Sequence, residues 1–213
     1  MLTPDNVHAR HAAKRKEIEQ RLRDFAAIRS MGDAILLSEL SFCISAANSS
    51  AEAASRAQKG LNEKNLLFSH DASAISSVLL SSHVRFHKNK AKYLIEARKK
   101  LFDEKGLEKA MQGRKDSVLL RNFLADEVLG LGMKEAGHFL RNTGLAHEFA
   151  ILDRHILKNL VSLGVIDEPP KTLTRRRYLD IEKKMLEYCE KSKIPIAHLD
   201  LLMWSEQTGR IFK

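Results

Sequence analysis

A lysine and an aspartate, 19 residues apart, are the residues of this chain best suited to carry out a reaction. Lys134 lies in the first turn of a predicted helix that starts directly after Gly130-Leu131-Gly132, and Asp153 immediately precedes another predicted helix. A neutral amine can attack an electrophilic carbon and form a Schiff base, and an ionised carboxylate stabilises positive charge that develops beside it. The pair therefore predicts covalent catalysis by an amine. The alternatives are a surface lysine that contacts phosphate and an aspartate that only caps a helix.

The two glycines before Lys134 indicate what the site would hold. Gly130 and Gly132 stand at a predicted junction of two helices, where the absence of Cβ atoms lets backbone amides approach a phosphate. Leu131 and Met133 are expected to point inward. The pattern predicts a helix-hairpin-helix over residues 117–143 that grips a DNA backbone, with a plain helix–helix turn as the alternative.

DNA held in this way would bring a sugar to the amine of Lys134. Attack of the amine on C1′ of a deoxyribose would displace a damaged base and leave a Schiff base. Because the Schiff base acidifies the C2′ proton, elimination of the 3′ phosphate would follow. Asp153 would stabilise the positive charge that develops on the sugar.

The charge of the chain favours a polyanionic partner. It carries 36 Lys and Arg against 27 Asp and Glu, a formal net charge of +9 and a pI near 9.6. Such an excess is typical of proteins that bind nucleic acid, although ordinary solubility charge is the alternative. Together with the amides of Gly130 and Gly132, we expect two basic side chains to bind DNA phosphates, Lys90 and Arg154. Other basic residues are clustered at Lys88, Lys92, Arg98, Lys99, Lys100 and Arg175–Arg177.

Several other classes of protein are not indicated. The two cysteines, Cys43 and Cys189, are too few for an iron–sulfur cluster and do not suggest a secreted disulfide scaffold. Cys43 lies in an apolar run and is interpreted as a core residue. The nine histidines show no spacing typical of metal ligands, so no metal site is predicted. Without an apolar stretch long enough for a signal peptide or a membrane span, a cytoplasmic, nucleoid-associated protein is expected.

Helical periodicity runs through nearly the whole chain, and no segment alternates with a period of two for long enough to predict a strand. Ser49 and Glu52 match a capping box and predict the start of a third helix. Gly106 and Gly113 bracket a less regular stretch. The fold is therefore predicted to be all-α, with two lobes. The other predicted helices cover about residues 4–29, 32–47, 72–82, 87–101, 116–129, 134–142, 153–163, 174–191 and 195–208.

Two longer motifs carry a family resemblance. Residues 130–142 read GLGMKEAGHFLRN and residues 150–157 read AILDRHIL; shorter pieces in the same order are FCI with ANS near residue 45 and VRFH with KAKY near residue 88. At these residues the chain resembles the helix-hairpin-helix DNA glycosylase superfamily. Within it, the chain is similar to the archaeal and bacterial branch of 8-oxoguanine DNA glycosylase/AP lyases. Trp204, Thr208-Gly209 and the terminal lysine complete the match.

The resemblance implies a role for each of the candidate residues. Lys134 would be the Schiff-base nucleophile and Asp153 the assisting aspartate. Phe86, Trp204 and the terminal Lys213 would hold the oxidised guanine. A flipped base needs an aromatic face to stack on, which suits Phe86 and Trp204, although core packing is the alternative for both.

The resemblance also implies an architecture and a partner. Residues 1–213 would form a single helix-hairpin-helix glycosylase unit of two helical lobes with the lesion-base pocket between them. The substrate would be double-stranded DNA containing 8-oxoguanine, and a monomer that does not bind membranes is expected. No organic cofactor is required, and a monovalent cation at the hairpin carbonyls is compatible with this expectation. Three alternatives stay open: a different lesion or mainly AP lyase action, a non-catalytic helix-hairpin-helix DNA-binding module, and a helical protein-interaction bundle.

Overall fold

The computed structural model describes residues 1–103, 107 and 116–212. Ten α-helices have their bounds in this part of the chain, which contains no β-strand, so the predicted all-α class is confirmed. A π-helical turn, Lys99–Asp103, continues the fifth helix, and the irregular stretch predicted around Gly106 and Gly113 lies largely outside the described residues. The helices are α1 (Val7–Ile28), α2 (Asp33–Ala46), α3 (Ala51–Glu63), α4 (Ala72–Ser81), α5 (His87–Arg98), α6 (Ser117–Glu127), α7 (Met133–Asn142), α8 (Arg154–Ser162), α9 (Arg175–Ser192) and α10 (Ile196–Thr208).

The chain divides into two compact units. The central unit comprises Ala27–Leu145, and the terminal unit comprises Met1–Ala26 together with the chain from Ala146 onward. Helix α1 begins in the terminal unit, and its last two residues belong to the central unit.

The core of the central unit is built around α2. Its residues from Leu36 to Ser45 are all buried, because the helix is apolar on several sides. Cys43 is fully buried, which confirms its interpretation as a core residue. Helices α3, α5 and α7 pack against α2, and α6 packs against α7 to form the predicted hairpin pair. The hairpin therefore packs directly against this core through α7.

In the terminal unit, α10 contacts both α8 and α9. Helix α10 is buried along most of its length, from Ile196 to Ser205, because it has apolar residues on all sides. Gly209 ends this helix in the left-handed conformation, with φ +79°. Both ends of α10 lie where the sequence predicted them.

The start of α3 differs from its prediction by one residue. Ser50, not Ser49, is the N-cap, and its side chain accepts a hydrogen bond from the Ala53 amide at 3.1 Å. The Ser49 hydroxyl instead accepts a bond from the amide of Arg85 at 3.0 Å. Ser49 matches the capping box with Glu52 and Ser50 does not, but the contact of Ser49 to a distant turn leaves Ser50 to cap the helix.

Candidate active site

The hairpin between α6 and α7 is held by a close approach of its backbone to the core. Gly130 has φ +88°, and a Cβ at this position would lie 3.0 Å from Cδ2 of Tyr93 and 3.3 Å from Cγ2 of Ile44. Leu131 and Met133 are both buried, as predicted. A glycine is therefore required at position 130 for its conformation and for the space that it leaves.

Lys134 is the second residue of α7, in the first turn as predicted, and it belongs to the central unit. Its Nζ lies 3.1 Å from Oε1 of Glu135, and 23% of its side chain is exposed against 14% for Glu135. The other carboxylate oxygen of Glu135, Oε2, accepts a hydrogen bond from the amide of Gly132 at 3.3 Å. One carboxylate thus orients the amine and caps the helix.

Glu135 was not singled out from the sequence, although its position carries a signal. A glutamate three residues after the N-cap residue is typical of a capping box, and Glu135 stands at that distance from Gly132. The bond also means that the Gly132 amide, which we expected to face a phosphate, is occupied by Glu135 in this structure.

Asp153 belongs to the terminal unit and caps α8, as predicted. Its Oδ1 accepts hydrogen bonds from the amides of His155 at 2.7 Å and Ile156 at 2.8 Å. Both bonds end at one oxygen of the carboxylate. This geometry fixes the orientation of the side chain while the residue stays partly exposed.

The three residues before Asp153 are fixed by buried polar side chains. Amides of Ala150 and Ile151 donate to carboxylate oxygens of Glu182, at 2.9 Å, and Asp200, at 3.3 Å. The hydroxyl of Tyr178 donates to the Ala150 carbonyl at 2.6 Å and accepts from the amide of Leu152 at 3.4 Å. Such bonds satisfy backbone groups that would otherwise be buried without partners. The segment that carries Asp153 is therefore held to α9 and α10.

The three predicted base contacts have different environments. Phe86 is 56% exposed and has φ +59°, and the guanidinium of Arg85 lies 5.5 Å from the centre of its ring. Trp204 is 9% exposed and stacks on Phe212, with ring centroids 5.9 Å apart and an interplanar angle of 28°. Lys213 lies outside the described residues.

Of the two basic side chains predicted to bind phosphate, Lys90 is wrongly assigned. Only 4% of Lys90 is exposed, and its Nζ donates to the carbonyls of Ser45, at 2.8 Å, and Ala47, and to the hydroxyl of Ser49 at 3.2 Å. Burial lowers the pKa of Lys90 to about 8. An ammonium whose donors are used inside the protein is not available to a surface phosphate, and the residue instead joins α5 to the end of α2.

Two other basic residues differ in burial, since Arg98 is buried and Arg154 is exposed. The guanidinium of Arg98 donates to the Ser69 carbonyl at 2.9 Å and contacts the ring of His70. Arg154 is exposed at the start of α8, and its Nε donates to Nε2 of His155 at 3.4 Å. Its role as a phosphate contact stays a prediction.

No group of three or more His, Cys, Asp or Glu side chains that could hold a metal ion occurs among the residues that the structure describes. In the same part of the chain, no helix is both long and apolar enough to cross a membrane.

Comparison with known sequences identifies a family. Residues 18–194 match the family model described as 8-oxoguanine DNA glycosylase. A protein of Fusobacterium nucleatum named 8-oxoguanine DNA glycosylase/AP lyase is 43% identical over 198 residues, which cover 92% of this chain and 90% of the relative. A protein of the same name from Korarchaeum cryptofilum is 36% identical over 212 residues, which cover 100% of this chain and 98% of the relative.

Solved structures agree with the sequence comparison. The 8-oxoguanine DNA glycosylase of Thermotoga maritima superposes with a TM-score of 0.85 at 30% identity, covering 98% of this chain and 97% of the other. The 8-oxoguanine glycosylase/lyase of Methanocaldococcus jannaschii superposes with a TM-score of 0.83 at 32% identity, covering 93% of each chain. That second structure was determined in complex with a 15mer DNA containing 8-oxoguanine.

Proposed function

The chain belongs to the 8-oxoguanine DNA glycosylase family, and we propose that it excises 8-oxoguanine from duplex DNA through a Schiff base at Lys134. As a member of this family it is a DNA-repair enzyme with DNA glycosylase and AP lyase activities. The observation that best supports the proposed mechanism is the position of Lys134, in the first turn of α7 directly after the hairpin. A protein that only bound DNA would not require an amine and an oriented carboxylate of this kind.

The proposed first step is the displacement of the damaged base. The neutral amine of Lys134 attacks C1′ of the flipped nucleotide, and the bond between C1′ and N9 breaks. The electron pair of that bond leaves with the base, which takes up a proton. Opening of the sugar ring then gives a protonated Schiff base between Lys134 and C1′.

The proposed second step cleaves the strand. The protonated Schiff base withdraws electrons, so a base can remove the C2′ proton, and the bond from C3′ to the 3′ phosphate oxygen breaks. This β-elimination leaves an unsaturated sugar on one fragment and a 5′ phosphate on the other. Hydrolysis of the Schiff base by water returns the free amine of Lys134. The lyase activity therefore follows chemically from the use of an amine in place of water.

Asp153 is proposed to assist the first step. Charge of the oxocarbenium type develops on the sugar as the base leaves, and a fixed carboxylate stabilises it without having to reorganise. The two hydrogen bonds from backbone amides to Oδ1 of Asp153 supply that orientation.

The binding of DNA is proposed to combine several groups that the family resemblance implies. Phe86, Trp204 and Lys213 would hold the oxidised base, and the hairpin at Gly130 and Gly132, with Arg154, would contact the backbone. The amine and carboxylate supply the chemistry, so we propose that no organic cofactor is needed. The substrate would be chromosomal DNA, bound by a nucleoid-associated monomer.

A single-turnover assay with matched lysine variants tests this function. Lys134→Gln is expected to abolish both base release and strand cleavage on an 8-oxoguanine duplex while DNA affinity is retained. Lys99→Gln is the control, because Lys99 also pairs with a glutamate, Glu96, at 3.1 Å but lies far from the hairpin in sequence. Retained cleavage by Lys134→Gln would contradict the mechanism. Absence of any activity in the unmodified protein would favour the non-catalytic DNA-binding module.

A further inference from the structure

Within the terminal unit, the beginning of the chain is bound to its end by a series of side-chain contacts. These contacts join residues 187 or more positions apart. One begins at Met1, before α1, and the others are spread along α1 as far as Arg21. The pairs are the Met1 amino group with Glu206 Oε2 (3.7 Å), His11 Nε2 with His198 Nδ1 (3.0 Å), Lys14 Nζ with Ser205 Oγ (3.0 Å), and Arg21 Nε with the Phe212 carbonyl (3.3 Å).

Arg21 contributes the contact nearest to the chain end. Its guanidinium carbon lies 4.5 Å from the ring centre of Phe25, and its Nη1 lies 3.8 Å from Oδ2 of Asp24. Both of these partners belong to α1, and Phe25 is fully buried. The side chain is therefore oriented by its own helix, and its Nε is directed to the carbonyl of Phe212.

The residue that Arg21 anchors covers the chain's only tryptophan. The ring of Phe212 stacks on Trp204, and the guanidinium of Arg210 lies 4.7 Å from the ring centre of Phe212. The last residues of a chain are usually mobile unless they are tied down. The bond from Arg21 to Phe212 is such a tie, and it fixes the ring that lies against the indole.

We propose that Arg21 is a positioning residue for recognition of the oxidised base. It acts through the Phe212 backbone, which keeps the Phe212 ring on Trp204 and the indole in one orientation before DNA binds. Ordering this segment in advance reduces the conformational entropy that binding would otherwise cost. The inference rests on the proposed function in one respect, namely that Trp204 contacts the base.

Tryptophan fluorescence tests the structural part of the proposal without any substrate. Since Trp204 is the only tryptophan, emission and acrylamide quenching report on it alone. Arg21→Met is expected to shift the emission to longer wavelength and to increase quenching. Arg23→Met is the matched control, because Arg23 donates to Gln20 on its own helix and is exposed. An Arg21→Met spectrum identical to that of the unmodified protein would overturn the proposal.

Kinetics with two substrates test the functional part. Arg21→Met is expected to lower kcat/KM for 8-oxoguanine excision by about tenfold, mainly through KM, as expected for the loss of one hydrogen bond to a charged group. Cleavage of a duplex that already contains an abasic site has no base to recognise, so it is expected to stay unchanged. Equal losses on both substrates would overturn the proposal. Failure of the proposed function itself would appear differently, as Lys134→Gln retaining cleavage of both substrates.

A second variant guards against misfolding of Arg21→Met. Phe212→Ala keeps the carbonyl that Arg21 binds but removes the ring that covers Trp204, and it is expected to show the same selective loss. If both residues act through one contact, the double variant should lose no more than the single variants. Additive losses in the double variant would contradict the proposed path from Arg21 through Phe212.

Discussion

Asp153 and a second aspartate, Asp71, cap their helices with the same hydrogen-bond geometry. A comparison of the two residues therefore distinguishes the structural role of Asp153 as a cap from its proposed role in catalysis. Asp71 Oδ1 accepts from the amides of Ser73 at 2.9 Å and Ala74 at 3.0 Å, in the same pattern as Asp153 at the start of α8. Asparagine caps helices about as well as aspartate, so either Asp→Asn variant should change the free energy of unfolding by less than about 0.5 kcal/mol. Only Asp153→Asn removes a carboxylate from the proposed site.

Asp153→Asn is therefore expected to lower the single-turnover rate of base excision by about 100-fold or more, the usual cost of losing one group that stabilises transition-state charge. Asp71→Asn should leave this rate unchanged. Thermal unfolding of both variants checks that the caps persist. Equal excision rates in the two variants would reduce Asp153 to a structural cap.

Among single residues, those whose roles depend on local neighbours could be predicted from the sequence. The cap at Asp153 and the position of Lys134 follow from adjacent residues. Lys90 could not be placed in this way, because the carbonyls that it binds are 43 and 45 positions away in sequence. Its charge alone suggested an exposed phosphate contact, whereas the fold buries it.

At the level of elements, the hairpin requires glycine at position 130 for two reasons, its backbone conformation and the lack of space for a side chain. Gly130 combines a positive φ with close contacts to Tyr93 and Ile44, whereas Gly164 has φ +69° and nothing within 4 Å of a Cβ. Gly164→Ala should therefore cost only the backbone strain of the left-handed region, about 1–2 kcal/mol. Gly130→Ala should cost more, and it should also weaken DNA binding because the hairpin shifts. Chemical denaturation and DNA titration measure both effects, and equal stability losses in the two variants would contradict the close approach.

The helices themselves were largely predictable, since apolar periodicity and capping residues are local signals. Asp71 and Thr174 cap the helices that the sequence predicts over about residues 72–82 and 174–191. The start of α3 was misplaced because Ser49 is recruited by Arg85 and Lys90, which no local pattern reveals. Helix α5 ends at Arg98, three residues earlier than predicted, where the backbone changes to a π-helical turn.

At the scale of the whole molecule, the contact between the two ends of the chain predicts how stability depends on pH. Nε2 of His11 lies 3.0 Å from Nδ1 of His198, and burial lowers the pKa of both imidazoles below the usual 6.5. Arg15 lowers both pKa values further, and a neighbouring histidine does the same, His8 for His11 and His11 for His198. Glu19 raises both pKa values. The unfolded chain therefore binds more protons than the folded protein just below pH 6.5.

The stabilising contribution of this pair is fully present above pH 6.5 and is lost as the pH falls below that value. Thermal melts between pH 8 and pH 5.5 should show a falling Tm in the acidic half of this range. His11→Phe should make the decline less steep, whereas replacement of the exposed His147 by Asn should leave it unchanged. A decline of equal steepness in all three proteins would mean that other groups control it.

This contact between the chain ends was not predictable from the sequence. Its partners are 187 or more residues apart, so no local pattern of the sequence reveals the contact. What the sequence did indicate at this scale was the all-α class and, through its net charge of +9, an anionic partner.

Borohydride reduction followed by mapping of the modified residue tests the central claim most directly. The protein would be mixed with duplexes that contain 8-oxoguanine, an abasic site or undamaged guanine, reduced, digested and analysed by mass spectrometry. We expect a sugar adduct on Lys134 from the first two duplexes and no adduct from the third. An adduct on another lysine, or none on the 8-oxoguanine duplex, would contradict the assignment of Lys134 as the nucleophile.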